Sequence, residues 1–82
     1  MDLDLSPRAL KQLAKIGKKD QDRFERKFSQ LGNNPYAGKP LRGKFAGQMS
    51  LKAWPLRIIY RINTKKVIEI LDVDYRGGVY KD

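Results

Sequence analysis

The spacing of apolar and polar residues changes several times along the chain, and each change marks an element. Asp2-Leu3-Asp4-Leu5 alternates, which predicts a short strand. Ser6-Pro7 follows as a side-chain cap and a first helical position. Leu10, Leu13 and Ala14 then recur at helical spacing, Ile16 lies near the end, and Gly17 is a natural terminator. A second helix is predicted from near Asp20. Phe24, Phe28 and Leu31, at i, i+4 and i+7, give it one apolar stripe, and Arg23, Arg26 and Lys27 fall off that stripe. Gly32-Asn33-Asn34-Pro35 ends it. Two helices joined by so short a turn pack as an antiparallel hairpin.

Residues 35–47 hold two prolines and three glycines and read as a loop or irregular edge. The period then becomes two. Met49, Leu51 and Ala53 alternate with Gln48, Ser50 and Lys52; Leu56, Ile58, Tyr60 and Ile62 alternate around Arg57 and Arg61. Asn63-Thr64-Lys65-Lys66 suits a hairpin turn. Residues 67–73 are nearly all apolar, as expected of a central strand covered on both faces. The order predicted is β-α-α-β-β-β, an α+β fold with a helical hairpin on one face of a small antiparallel sheet. The other face is left partly open.

Length makes this one domain, 1–82, with a modest core that buries roughly 60% of the unfolded surface. A surface groove therefore suits it better than an enclosed pocket. Cysteine and histidine are both absent. That removes disulfides and thiolate chemistry, argues against a zinc site, and leads us to expect no metal and no cofactor. No apolar run approaches the ~18 residues of a membrane span, and the N-terminus lacks the pattern of a signal peptide, so a cytoplasmic setting is expected.

Net charge alters the picture most. The chain carries 18 Lys and Arg against nine Asp and Glu, a net +9 spread evenly over its two halves. Such a field favours a polyanion as partner.

By alternation, Lys52 and Arg57 both point away from the apolar face and are neighbours across a hairpin. Arg61 lies on the same side of its strand as Arg57, Arg42 precedes the first of these strands, and Arg76 and Tyr80 follow the last one. Converging on one phosphate, these groups suit cleavage of RNA. Arg57 would bind phosphoryl oxygens through two hydrogen bonds. Lys52, crowded by like charge, would act as general base on a ribose 2′-hydroxyl. Arg76 would stabilise the leaving oxygen, and Tyr80 would stack on a base or orient the phosphate. The products would be a 2′,3′-cyclic phosphate and a 5′-hydroxyl, with the cations doing what a metal does elsewhere. Arg42, Lys44, Arg61 and Tyr75 are the further candidates for RNA contact.

Several segments together resemble the RelE/ParE superfamily of toxins from microbial toxin–antitoxin systems. They are the opening 5–15, Pro40-Leu41-Arg42-Gly43, the strand Leu56-Arg57-Ile58-Ile59-Tyr60-Arg61-Ile62, and the tail Val73-Asp74-Tyr75-Arg76-Gly77-Gly78-Val79-Tyr80. The resemblance implies a RelE-like, microbial RNase-like fold. Its ribosome-dependent members are mRNA interferases, endoribonucleases that cut mRNA in the ribosomal A site and so inhibit translation. Lys52, Arg57, Arg76 and Tyr80 match the residues that serve cleavage in those members, and Arg42 matches an arginine that holds the RNA. Ser50 stands where such members often have a second lysine, and Tyr75 where many have histidine. The resemblance also implies a cognate antitoxin in a hetero-oligomer, in a bacterial or archaeal cytoplasm. The charge predicts that the antitoxin's toxin-binding segment is acidic. Two alternatives share the fold: a ParE-like inhibitor of DNA gyrase, and a module that binds RNA or antitoxin without cutting.

Overall fold

The computed structural model describes residues 1–75. β1 (Leu3–Leu5) leads into α1 (Pro7–Ala14) and α2 (Lys18–Asn33). Then come β2 (Lys39–Pro40), a 3-10 turn at Gly43–Phe45, β3 (Met49–Ala53), β4 (Leu56–Ile62) and β5 (Ile68–Tyr75). Ser6 caps α1 as predicted: its Oγ accepts the Ala9 N–H at 3.0 Å, and Pro7 follows at the first helical position. Gly17 departs from expectation. α1 ends at Ala14 with Lys15 as its C-cap, and Gly17 instead caps the start of α2, which begins at Lys18, two residues before Asp20. The Gln21 side-chain amide explains how the helices abut. It donates to the carbonyls of Leu13 and Ile16 at 2.9 and 3.1 Å, tying the end of α1 to the first turn of α2.

The five strands lie in the order β1-β5-β4-β3-β2. The α+β class and the helical hairpin are as expected, but the sheet is mixed rather than antiparallel. β1 runs parallel to β5, with Leu3 opposite Ile68 and Leu5 opposite Ile70. The rest of the chain supplies the long crossover that a parallel pair needs. β2 is the second difference, inside the stretch expected to be a loop. Two residues cannot display alternation, and Pro40 is tolerated because β2 is an edge.

β5 is an interior strand, between β1 and β4, but it is not equally covered on both faces. Ile68, Ile70 and Val73 are buried, whereas Glu69, Asp72 and Asp74 are half-buried. Register against β4 slips at one place: Ile59 faces Asp72 while Tyr60 faces Ile70, so Leu71 has no opposite number. This bulge lets Ile70 and Val73, three apart, both join the core, which is why the sequence shows an apolar run instead of alternation.

Beyond Ile70 the edge of β5 has no strand partner, and α1 takes over. Ser6 Oγ donates to the Leu71 carbonyl at 3.2 Å. Gln12 Oε1 accepts the Val73 N–H at 2.8 Å while its Nε2 donates to Asp72 at 3.0 Å. The helices cover one face of the sheet: Ala9, Ile16, Phe24 and Leu31 pack with Leu56, Ile58, Tyr60, Ile68, Ile70 and Val73. Among the described residues no helix is long and apolar enough to cross a membrane.

Candidate functional site: a cationic groove on the open face

The face away from the helices is built by β2, β3 and β4. A two-residue turn, Trp54-Pro55, joins β3 to β4 and sets Lys52 directly opposite Arg57, as alternation predicted. One step further along, Ser50 pairs with Ile59 on one side and with Lys39 of β2 on the other. Lys39, Ser50, Lys52 and Arg57 line a groove of about 480 Å³ whose wall is completed by Ala37, Pro40, Leu41 and Leu51.

Like charges directly opposite each other on a sheet are destabilising. The fold gains nothing from Lys52 and Arg57 as neighbours, so the pair points to an anion. Among the described residues, Lys39, Lys52 and Arg57 form no ion pair, although Asp74 stands opposite Arg57 on β5. The Asp74 carboxylate instead accepts the N–H of Tyr75 at 2.8 Å. Arg57 Nε is buried with no hydrogen-bond partner among the described residues.

The wall of the groove hangs on one phenol. Tyr60 is fully buried; its hydroxyl donates to the Pro35 carbonyl at 2.8 Å and accepts the Gly38 N–H at 2.9 Å. Burial pushes this hydroxyl above its usual pKa, partly offset by the Gly38 bond. Gly38 is required by contact: a Cβ there would lie 2.8 Å from the Tyr60 ring and hydroxyl. The pin holds the segment that delivers Ala37 and Lys39. Gly43 follows Arg42 with φ of 66°, a left-handed conformation that explains glycine in Leu41-Arg42-Gly43.

The other candidate residues do not all converge. Arg61 shares the face of Arg57 but pairs with Glu69 at 2.7 Å. Arg42 and Lys44 are exposed around the 3-10 turn and do not line the groove; the Lys44 ammonium lies 5.4 Å from the Phe45 ring centre. Tyr75 lies away from the groove. It stands opposite Leu56, on the helix side, and its hydroxyl donates to Asp20 Oδ2 of α2 at 2.9 Å. That bond is the first cause of a raised Tyr75 pKa, followed by desolvation and the Asp20 charge. Its parity with buried Val73 already placed it on that side. Arg76 and Tyr80 lie outside the described residues. Lys39 is the groove cation that sequence reasoning missed, because nothing in Gly38-Lys39-Pro40 signals a strand.

A helical hairpin over a mixed five-stranded sheet is a fold shared with toxins of type II toxin–antitoxin systems. The family model for the ParE toxin of the type II system parDE matches residues 3–80, so the chain belongs to the RelE/ParE toxin superfamily. Toxin RelG of Mycobacterium tuberculosis is 38% identical over 56 residues. That match covers 66% of this chain and 64% of the relative, so it spans less than two thirds of that protein. Among solved structures, the toxin–antitoxin complex RelBE2 from Mycobacterium tuberculosis has a chain that superposes with a TM-score of 0.84 at 28% identity, over 92% of this chain and 96% of that one. The isolated RelE toxin of E. coli gives 0.75 at 25% identity, over 90% and 82%.

Proposed function

We propose that this toxin is a ribosome-dependent endoribonuclease that cuts mRNA in the A site. The observation that carries the reading is the groove in which Lys39, Lys52 and Arg57 meet without an acidic partner among the described residues. A phosphodiester is the partner they lack. Its phosphoryl oxygens accept hydrogen bonds from the Arg57 guanidinium, which stabilises the charge that builds in a pentacovalent phosphorane. Lys52 Nζ takes the proton of the ribose 2′-hydroxyl; O2′ bonds to phosphorus as the bond to O5′ breaks. Arg76 supports the leaving oxygen, which takes a proton from water to become the 5′-hydroxyl, and Tyr80 positions the nucleotide. Lys39 supplies, from the adjacent strand, a cation beside Ser50.

The partner we propose is a cognate antitoxin with an acidic toxin-binding segment, consistent with the +9 charge and with similar structures solved as toxin–antitoxin complexes. A second reading, inhibition of DNA gyrase without RNA cleavage, is favoured by the match to the ParE family model.

Primer extension on mRNA programmed into purified translating ribosomes tests the choice. Wild-type protein should give A-site cuts that vanish with Arg57→Ala. Growth arrest without cuts would sink the nuclease reading and direct the next assay to gyrase supercoiling.

A further inference from the structure

A second groove, of about 460 Å³, lies between α2 and the β3–β4 turn. Arg23, Arg26, Lys27 and Gln30 line one side at i, i+3, i+4 and i+7, a polar stripe along one helix. Lys52 and Trp54 line the other. Lys52 also lines the first groove, so the two meet at that lysine. Arg23 is paired with Asp20 at 3.2 Å, whereas Arg26, Lys27 and Lys52 have no ion pair among the described residues. Trp54, the chain's one tryptophan, is 69% exposed at the edge of this groove.

We propose that this second groove seats the single-stranded RNA that flanks the scissile phosphate: one base stacks on Trp54, and the adjoining phosphates lie against Arg26 and Lys27. An aromatic face beside a row of cations is the minimal equipment for single-stranded nucleic acid, because every base offers a stacking face and every linkage a charge. An acidic peptide helix fits less well. It needs apolar anchors in a matching groove, and here the lining holds no aliphatic side chain larger than Ala53. The groove between α1 and α2, lined by Leu5, Leu10, Leu13, Phe24 and Phe28, has that apolar character instead. The proposal rests on RNA being the substrate of the first groove, and it makes Lys52 the point where the bound strand passes from one to the other.

The test is fluorescence anisotropy with labelled 2′-O-methyl RNA, which cannot be cut, in lengths of about three and about ten nucleotides. Wild-type protein should bind the longer probe more tightly. Trp54→Ala should weaken that binding about tenfold. Arg26→Ala with Lys27→Ala should remove most of the length advantage and lower the salt slope by about 1.4, the release expected for two phosphates on a single strand. All three positions lie outside the core cluster, so an unchanged thermal midpoint certifies the fold.

Variants that bind the longer probe as wild type does would overturn the proposal. So would variants that keep RNA affinity and lose affinity for a synthetic acidic antitoxin segment, which would make the groove a partner surface. The nuclease reading fails separately: RNA bound through Trp54 with no A-site cuts from wild-type protein would leave an RNA site on a toxin that does not cut.

Discussion

Arg57 and Arg61 lie four residues apart on one strand and share one face, yet they do opposite things. Arg61 faces Glu69 and closes an ion pair at 2.7 Å. Arg57 faces Asp74 in equivalent register and closes none; its other neighbour is Lys52. A Lys or Arg on a strand is ordinarily a solvated or paired group, and Arg61 fits that description. Arg57 has a cation beside it and a shielded Nε with no acceptor among the described residues, an arrangement that an incoming anion would relieve. The lesson is that position on the face does not separate a paired cation from an unpaired one; the residues around it do. The same contrast holds elsewhere: Arg8 pairs with Asp72 and Arg23 with Asp20, while Lys39, Arg26 and Lys27 have no acid among the described residues.

The contrast breaks most sharply by truncation. Arg57→Ala should lower the single-turnover rate of A-site cleavage by about a hundred- to a thousandfold, the loss expected when one preorganised donor to a developing oxyanion is removed. Arg61→Ala should stay within about threefold, since an exposed pair contributes little beyond its own salt bridge. Equal losses at the two positions would mean that the Arg61 pair opens on the ribosome and that the division drawn here is wrong.

Next in size is the pin behind the groove. Tyr60→Phe deletes the donor to the Pro35 carbonyl and the acceptor of the Gly38 N–H, and should cost about 1–3 kcal/mol. For a domain of this size that is a fall in Tm of about 4–8 °C per kcal/mol in thermal melts. Gly38→Ala should fall in the same range, because its Cβ displaces the same hydroxyl. Both should weaken cleavage by loosening the segment that carries Lys39, with Arg57 itself intact. A melt unchanged by Tyr60→Phe would show that water replaces the pin.

How much of this was readable beforehand depends on what each feature needs. Ser6-Pro7 and the Phe24, Phe28, Leu31 stripe are local patterns, and both elements formed as read. Lys52 beside Arg57 was readable because a two-residue turn fixes the pairing. The parallel seat of β1, the bulge at Leu71 and the strand-like role of Gln12 were not, because each is a contact between residues far apart in the chain. The pairing of Arg61 with Glu69 belongs to the same group, since their register depends on where the bulge falls. Tyr75 was legible in part: strand parity from Val73 put it on the helix side, although it stood among the candidates for RNA contact.

A smaller effect reverses sign between the two halves of β4, which sharpens the comparison. Lys52→Ala removes a like-charge neighbour and should raise stability by about 0.2–1 kcal/mol while abolishing cleavage. Glu69→Ala removes the partner of Arg61 and should lower stability by a similar, salt-sensitive amount, with cleavage retained. Denaturant titration at low and moderate salt measures both. Destabilisation by Lys52→Ala would assign that lysine a packing role through its aliphatic stem and weaken the case for a site held against the interests of the fold.

The smallest effect appears only in alkali. The Tyr60 and Tyr75 hydroxyls are both raised above the ordinary 10.0, the first mainly by burial and the second mainly by its bond to Asp20. A folded pKa above the unfolded one favours the protonated native form. The contribution is therefore complete below about pH 10 and is lost as pH climbs through the folded values. The structural cause is plain: each O–H donates, one to a carbonyl and one to a carboxylate, and a phenolate can do neither. With no histidine in the chain, no imidazole step interrupts the curve near neutrality. Stability against pH should thus be level through neutrality and decline above about pH 10. Tyr60→Phe should remove the larger part of that decline and Tyr75→Phe a lesser part, because Tyr75 is exposed and water competes for its bond. If Tyr75→Phe instead flattens the alkaline limb as much as Tyr60→Phe, the contact between the end of β5 and the start of α2 holds the fold as firmly as the core does. Tyr75 would then belong to the scaffold outright, on the far side of the sheet from Arg57.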